Sequence, residues 1–162
     1  MSFSPETIFI SYSRSDGREF AEAFERRLEA EGLHAWRDLK SMEAGDIRPQ
    51  VLRAIESVKH LVPILSGRAL TSDWIKREWS HARTAGKRVC PVLADSSITR
   101  SDLPPWIRRE EVFDIDRARD RDEERWKALV LELRGDGKTN RVPYMPGDLS
   151  ADFVNDRRST QR

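Results

Sequence analysis

The chain of 162 residues has a single cysteine, Cys90. One thiol excludes an internal disulfide and any metal cluster built on cysteines, and it fits a reducing, cytoplasmic setting. Long apolar runs are missing as well. No stretch approaches the roughly 20 residues needed to cross a bilayer. The opening residues, MSFSPETIFISYS, lack the basic start and extended apolar segment of a secretion signal. No membrane partner is therefore expected. Charge of one sign is not in excess either: 29 basic against 28 acidic residues leave +1. That removes the strongly basic footprint of a nucleic-acid-binding protein. Charge itself is plentiful, at 35% of residues against 38% hydrophobic. The length suits one domain with a proper core.

Familiar chemical signatures are absent in turn. The chain has no GxGxxG after its first apolar run, no GxxxxGK[ST], and no GxSxG nucleophile elbow. The loop SRSDG at 13–17 is a poor substitute for the Gly/Thr-rich loop of a flavin phosphate site. A phospho-receiver domain would need an acidic pair after the first strand and an aspartate ending the third; Ser11-Tyr12 and Ser66 stand there. His34, His60 and His81 are scattered without metal-ligand spacing, so no metal is expected. Cys90, between Val89 and Pro91, reads as an inert core thiol.

What is present is an alternation of short apolar runs with amphipathic stretches. Thr7–Tyr12, His34–Arg37, His60–Leu65, Arg88–Leu93 and Val112–Ile115 read as strands. Pro63, inside the third, argues against a fully paired central strand. Phe20, Ala23, Phe24 and Leu28 recur at helical spacing up to Gly32, and Ile47, Val51, Ile55 and Val58 line a second helix that Asp46 can cap. A third helix runs from about Asp73 to Ala85 and stops at Gly86, with SGRALTS before it read as a loop. Trp126, Leu129, Val130 and Leu133 make the last helix, closed by Gly135. The order predicts an α/β fold: a flavodoxin-like five-stranded parallel sheet with helices on both faces. In such a sheet the ligand crevice lies beyond the carboxyl ends of the strands. Ser11, Tyr12, Asp38, Ser66 and the loop before Trp74 gather on that rim. After Gly137 the sequence loses its periodicity, so 1–137 reads as the domain and 138–162 as a linker or tail.

The segment SDWIKREW at 72–79 stands out on the rim. Four-residue spacing stacks Trp74 and Glu78 on one helix face. Ile75, Trp79 and Ala82 define the buried stripe, which leaves Trp74 and Glu78 on a different line. The pair is either an amphipathic surface or an aromatic wall beside a working carboxylate.

Taken in order, IFISYSRSD at 8–16, WRD at 36–38, a glycine-containing loop, ILS at 64–66 and SDWIKRE at 72–78 resemble the motifs of a TIR (Toll/interleukin-1 receptor) domain, over residues 6–134. The fold of that family is the one predicted above. Some members are adaptors acting by self-association; others, many of them bacterial, cleave NAD+ between nicotinamide and ribose. The resemblance implies that Glu78 is the essential acidic residue and Trp74 the aromatic before it. It implies that residues 38–46 are the loop that shapes the pocket and takes part in TIR–TIR assembly, although a Glu43-Ala44-Gly45 turn replaces the usual Pro-Gly. NAD+ is then substrate, and no cofactor is required. Ser11 and Tyr12 would line the nicotinamide side, Arg14 would meet a phosphate, and Asp38 and Lys40 would contact ribose or phosphate. Ser66 would bond the ligand or cap a turn. Trp36 and Trp126 read as core; Trp106 is either a core lid or a second aromatic wall. The tail, with VPYMPGDLSADFV, is similar to segments that join bacterial TIR domains to nucleotide-binding signalling modules, which implies a sensor-linked defence effector. Two alternatives stay open: a non-catalytic TIR scaffold, and a nucleoside deoxyribosyltransferase-like enzyme.

Overall fold

The computed structural model describes residues 7–37, 48–115 and 122–135. The chain runs β1 (Ile8–Ser11), α1 (Arg18–Ala30), β2 (Ala35–Trp36), α2 (Arg48–Ser57), β3 (His60–Leu65), α3 (Gly67–Thr71), α4 (Asp73–Thr84), β4 (Arg88–Val89), β5 (Val92–Leu93), α5 (Pro105–Arg108), β6 (Phe113–Asp114) and α6 (Asp122–Leu133). All strand pairs are parallel, and the order is β2-β1-β3-β5-β6, with β4 also on β3. The predicted α/β sheet is therefore observed, five lanes wide, because β4 and β5 share one lane.

That shared lane corrects one expectation and bears out another. The run Arg88–Leu93 is not one continuous strand, and β3, though central, is incompletely paired at Pro63 on this side. The carbonyls of Leu61 and Leu65 accept from the Cys90 and Ala94 amides at 2.9 and 3.0 Å. Alternation along a strand then aims position 63 at the same neighbour. Proline has no N–H to give there, so the ladder lapses at Cys90-Pro91, between β4 and β5. On its other side β3 pairs with β1 without a gap, Ser11 standing opposite Pro63.

Alternating side chains divide the core in two. Ile8, Ile10, Val62 and Ile64 face α1 and α6, where Phe24 meets Trp126 edge-on at 5.9 Å. Phe9, Leu61 and Leu65 face α2, α4 and α5, through Val51, Ile55, Ile75, Trp79 and Ile107. Fully burying one such side chain contributes about 1.5–3 kcal/mol. Trp126 is core as expected, and Trp36 is half-buried against the second cluster.

Two further helices were not expected. α3 lies within the segment read as a loop, and α5 forms from Pro105-Trp106 in the proline-bearing stretch. Gly17 occupies a tight turn: its amide bonds the Ser13 carbonyl at 2.8 Å, and a Cβ there would meet that same oxygen at 3.0 Å. Gly86, at φ +75°, ends α4 as predicted.

Candidate active site

The carboxyl ends of β1 and β2 meet the first two turns of α4 at a cavity of about 340 Å³. Its lining includes Ser11, Tyr12, Arg14, Arg37, Trp74 and Glu78. β1 is the strand at which the sheet order reverses, the place where open α/β sheets take ligands.

α4 is held in place by its cap. The Ser72 hydroxyl accepts from the Ile75 amide at 3.2 Å, satisfying a first-turn donor. From that start the 3.6-residue period turns Ile75, Glu78, Trp79 and Ala82 inward, and all four are buried. Glu78 therefore belongs to the buried face, at i+3 from Ile75, and not to the separate line assigned to it from the sequence. Trp74 does stand apart, half-buried at the cavity wall beside Glu78.

Glu78 is 7% exposed. Its Oε2 accepts from the Ser11 hydroxyl at 2.6 Å, and that hydroxyl accepts from the Trp79 indole N–H at 3.0 Å. Burial pushes the Glu78 carboxyl up to about 7, while the Ser11 and Trp74 donors pull it down. Among the described residues no cation offsets this burial, and a carboxyl so buried holds its proton more tightly than one in water. At neutral pH it stands between its two forms, a state associated with functional sites.

The other expected residues divide. Tyr12 and Arg14 reach the cavity, Tyr12 half-buried and Arg14 exposed. The Tyr12 hydroxyl accepts from the Arg37 guanidinium at 3.4 Å. Ser66 is not part of the lining: it accepts from the Ala69 amide at 3.3 Å as the cap of α3 and donates to Asp16 at 2.8 Å. Asp38, Lys40 and the whole 38–46 loop lie outside the described residues. Trp106 belongs to the second core cluster, edge-on to Trp79 at 6.3 Å and covered by Arg83 at 4.1 Å. His60 is buried at the opposite end of the sheet, held neutral by desolvation.

Three contributors escaped the sequence reading. Arg37 reaches the cavity and is anchored to Glu25 at 3.0 Å. Asp16 ties the β1–α1 loop to α3 through Ser66 and the Arg68 amide, at 2.8 and 2.9 Å. Trp79 joins the site through its N–H, although its ring is core. An Asp in a polar loop and an Arg ending a strand carry no local signal of such contacts. A larger cavity, about 690 Å³, lies between α1 and the ends of β5 and β6, lined by Phe20, Phe24, Arg27 and Asp114 among others. Among the described residues it holds no buried carboxyl.

The strand order and the buried carboxyl at the switch point define an α/β domain with a ligand crevice on its carboxyl rim. The chain matches the TIR domain family over residues 8–130, and it belongs to that family. It is 26% identical over 93 residues to the NAD(+) hydrolase SARM1 of Danio rerio, covering 52% of this chain and 13% of that protein. With the NAD(+) hydrolase PdTIR of Paracoccus denitrificans it shares 31% identity over 75 residues, 46% of this chain and 25% of that one. The chain thus spans a minor part of these relatives. Among solved structures, the TIR domain of the Toll-related receptor TRR-2 from Hydra magnipapillata superposes with a TM-score of 0.68 at 14% identity, over 80% of this chain and 99% of that one. NAD+ hydrolases are thus among the family relatives of this chain.

Proposed function

We propose that this chain cleaves NAD+ at the bond between nicotinamide and ribose, with Glu78 as the working carboxylate. The observation that carries the reading is the buried Glu78 carboxyl, bonded to Ser11 and flanked by Trp74, lining a cavity on the sheet's carboxyl rim. Relatives named as NAD(+) hydrolases support the substrate.

The chemistry asks for one carboxylate. Nicotinamide leaves NAD+ as a neutral molecule and needs no acid to protonate it. The difficulty lies at the ribosyl carbon, which becomes oxocarbenium-like as the C–N bond breaks. A carboxylate held there accepts hydrogen bonds from the ribose hydroxyls and stabilises the growing positive charge. Water then adds to that carbon and releases one proton, so NAD+ and water give nicotinamide, ADP-ribose and H+. An internal nucleophile in place of water gives a cyclic product. Trp74 offers a flat π surface to the cationic ring. Tyr12 lines the nicotinamide side, Arg14 meets a phosphate, and Asp38 and Lys40 approach from the 38–46 loop. Entry of a cationic ring beside Glu78 favours its ionised form, so binding expels a proton at neutral pH.

Activity depends on self-association through TIR–TIR contacts that include the 38–46 loop. The protein works in the cytoplasm as a defence effector, a role supported by the sequence of the 138–162 segment. A scaffold acting by contact alone has no use for a buried carboxyl that costs folding energy, which favours the enzyme. The test is nicotinamide release from NAD+ at high protein concentration with a crowding agent. Wild type is expected to release it, and Glu78→Gln to lose on the order of 10²–10³ in rate while staying folded. Equal release by both proteins, or none by wild type, overturns the reading.

A further inference from the structure

Glu78 and Trp79 are neighbours on α4, yet both converge on one atom of β1, the Ser11 hydroxyl oxygen, 67 and 68 residues away in the chain. The three side chains are 7%, 0% and 1% exposed in the order Glu78, Trp79, Ser11. All three are thus almost wholly withdrawn from solvent. An indole N–H only donates, and a serine hydroxyl has a single proton. With one lone pair of Ser11 occupied by Trp79, the Ser11 proton is directed to Glu78 Oε2. The 2.6 Å separation lies in the range of a charge-assisted O–H···O⁻ bond.

We propose that Ser11 and Trp79 are positioning residues: a one-directional donor relay, Trp79 to Ser11 to Glu78, that fixes the Glu78 carboxyl in orientation and favours its anion, with Ser11 making no contact to substrate. This builds on the NAD+-cleavage reading for its catalytic consequence, but the relay itself is a property of the folded chain. Burial drives Glu78 toward its protonated form and the relay opposes that drive. Among the described residues, the charged and titratable groups facing Glu78 across the cavity are Tyr12 and Arg14 at the end of β1 and Arg37 after β2; α2 contributes Val51. None of them substitutes for the donor that Ser11 supplies at Oε2.

The test follows the Glu78 carboxyl directly. Protein carrying 13C-labelled glutamate carboxyls is titrated by NMR, with the Glu78 resonance assigned by its loss in Glu78→Gln. Ser11→Ala is expected to move the midpoint upward from near 7 by about one pH unit, the worth of one hydrogen bond to a charge. Trp79→Phe keeps a ring against Trp106 and is expected to move it the same way by less. Since Trp79 acts only through Ser11, the double variant should titrate like Ser11→Ala. The acid limb of nicotinamide release should shift with the midpoint, kcat recovering at alkaline pH. Midpoints unchanged in both variants overturn the relay, as does a general loss of thermal stability with no movement of the midpoint. If Ser11→Ala does not fold, the Trp79→Phe midpoint decides alone. Midpoints that move in a protein releasing no nicotinamide support the relay and overturn the proposed function instead.

Discussion

Glu78 is expensive. Taking a carboxylate out of water without a cation costs several kcal/mol, and the chain meets that cost partly by holding the proton. The folded value near 7 exceeds the ordinary 4.5. The folded state therefore binds the proton more tightly than the unfolded chain between those values, and the contribution is fully present below 4.5. Stability is lost as pH rises through 7. Glu78→Gln, which has no charge to bury, is expected to match wild type near pH 4.5 and to exceed it at pH 8. The gain should be on the order of 1–3 kcal/mol, checked by urea unfolding at the two pH values. A stabilised but inactive variant is the signature of a residue kept for function. The four-residue spacing to Trp74 was legible because it is local. The bond from Trp79 through Ser11 was not, because it spans 68 residues, and a core tryptophan does not advertise which way its N–H points.

At the scale of elements, two serines decide where the helices of the rim begin. Ser66 starts α3 and Ser72 starts α4, so the first turn that carries Trp74 is set by a single side-chain oxygen. Ser72→Ala is expected to cost about 1 kcal/mol in urea unfolding and, because α4 then frays next to the cavity, to lower nicotinamide release more than that loss alone explains. The expectations from sequence succeeded where periodicity is long. α1, α4 and α6 each bury residues at i, i+3 or i+4, α4 starts at the Ser72 cap, and glycines follow the ends of α1 and α4. They failed where an element is a single turn: α3 and α5 have five and four residues, too few to show a period. The broken fourth lane was legible only in part. Two prolines, Pro63 and Pro91, were visible, but that Pro63 faces Cys90-Pro91 across the ladder is a matter of register, which tertiary pairing sets.

For the whole molecule, the strand order was accessible because alternating strands and helices leave few topologies, and the five-lane sheet follows. The outline of the site was accessible for the same reason: the strand ends must share a rim. If copies must associate to act, specific activity is expected to rise with protein concentration under crowding and to become constant once assembly is complete. A rate strictly proportional to concentration across the range would oppose that. The sheet constrains how copies meet. Its two outermost strands, Ala35–Trp36 and Phe113–Asp114, are two residues long, whereas the central β3 has six. A neighbouring chain laid along either border finds too little ladder to hydrogen-bond, the same shortness that guards natural sheets against edge-to-edge aggregation. Among the described residues, these short edges disfavour growth of an assembly by extending one continuous sheet from molecule to molecule. Copies that do associate would then meet through helix faces and loops, where contacts are made by side chains and can be undone without unzipping backbone.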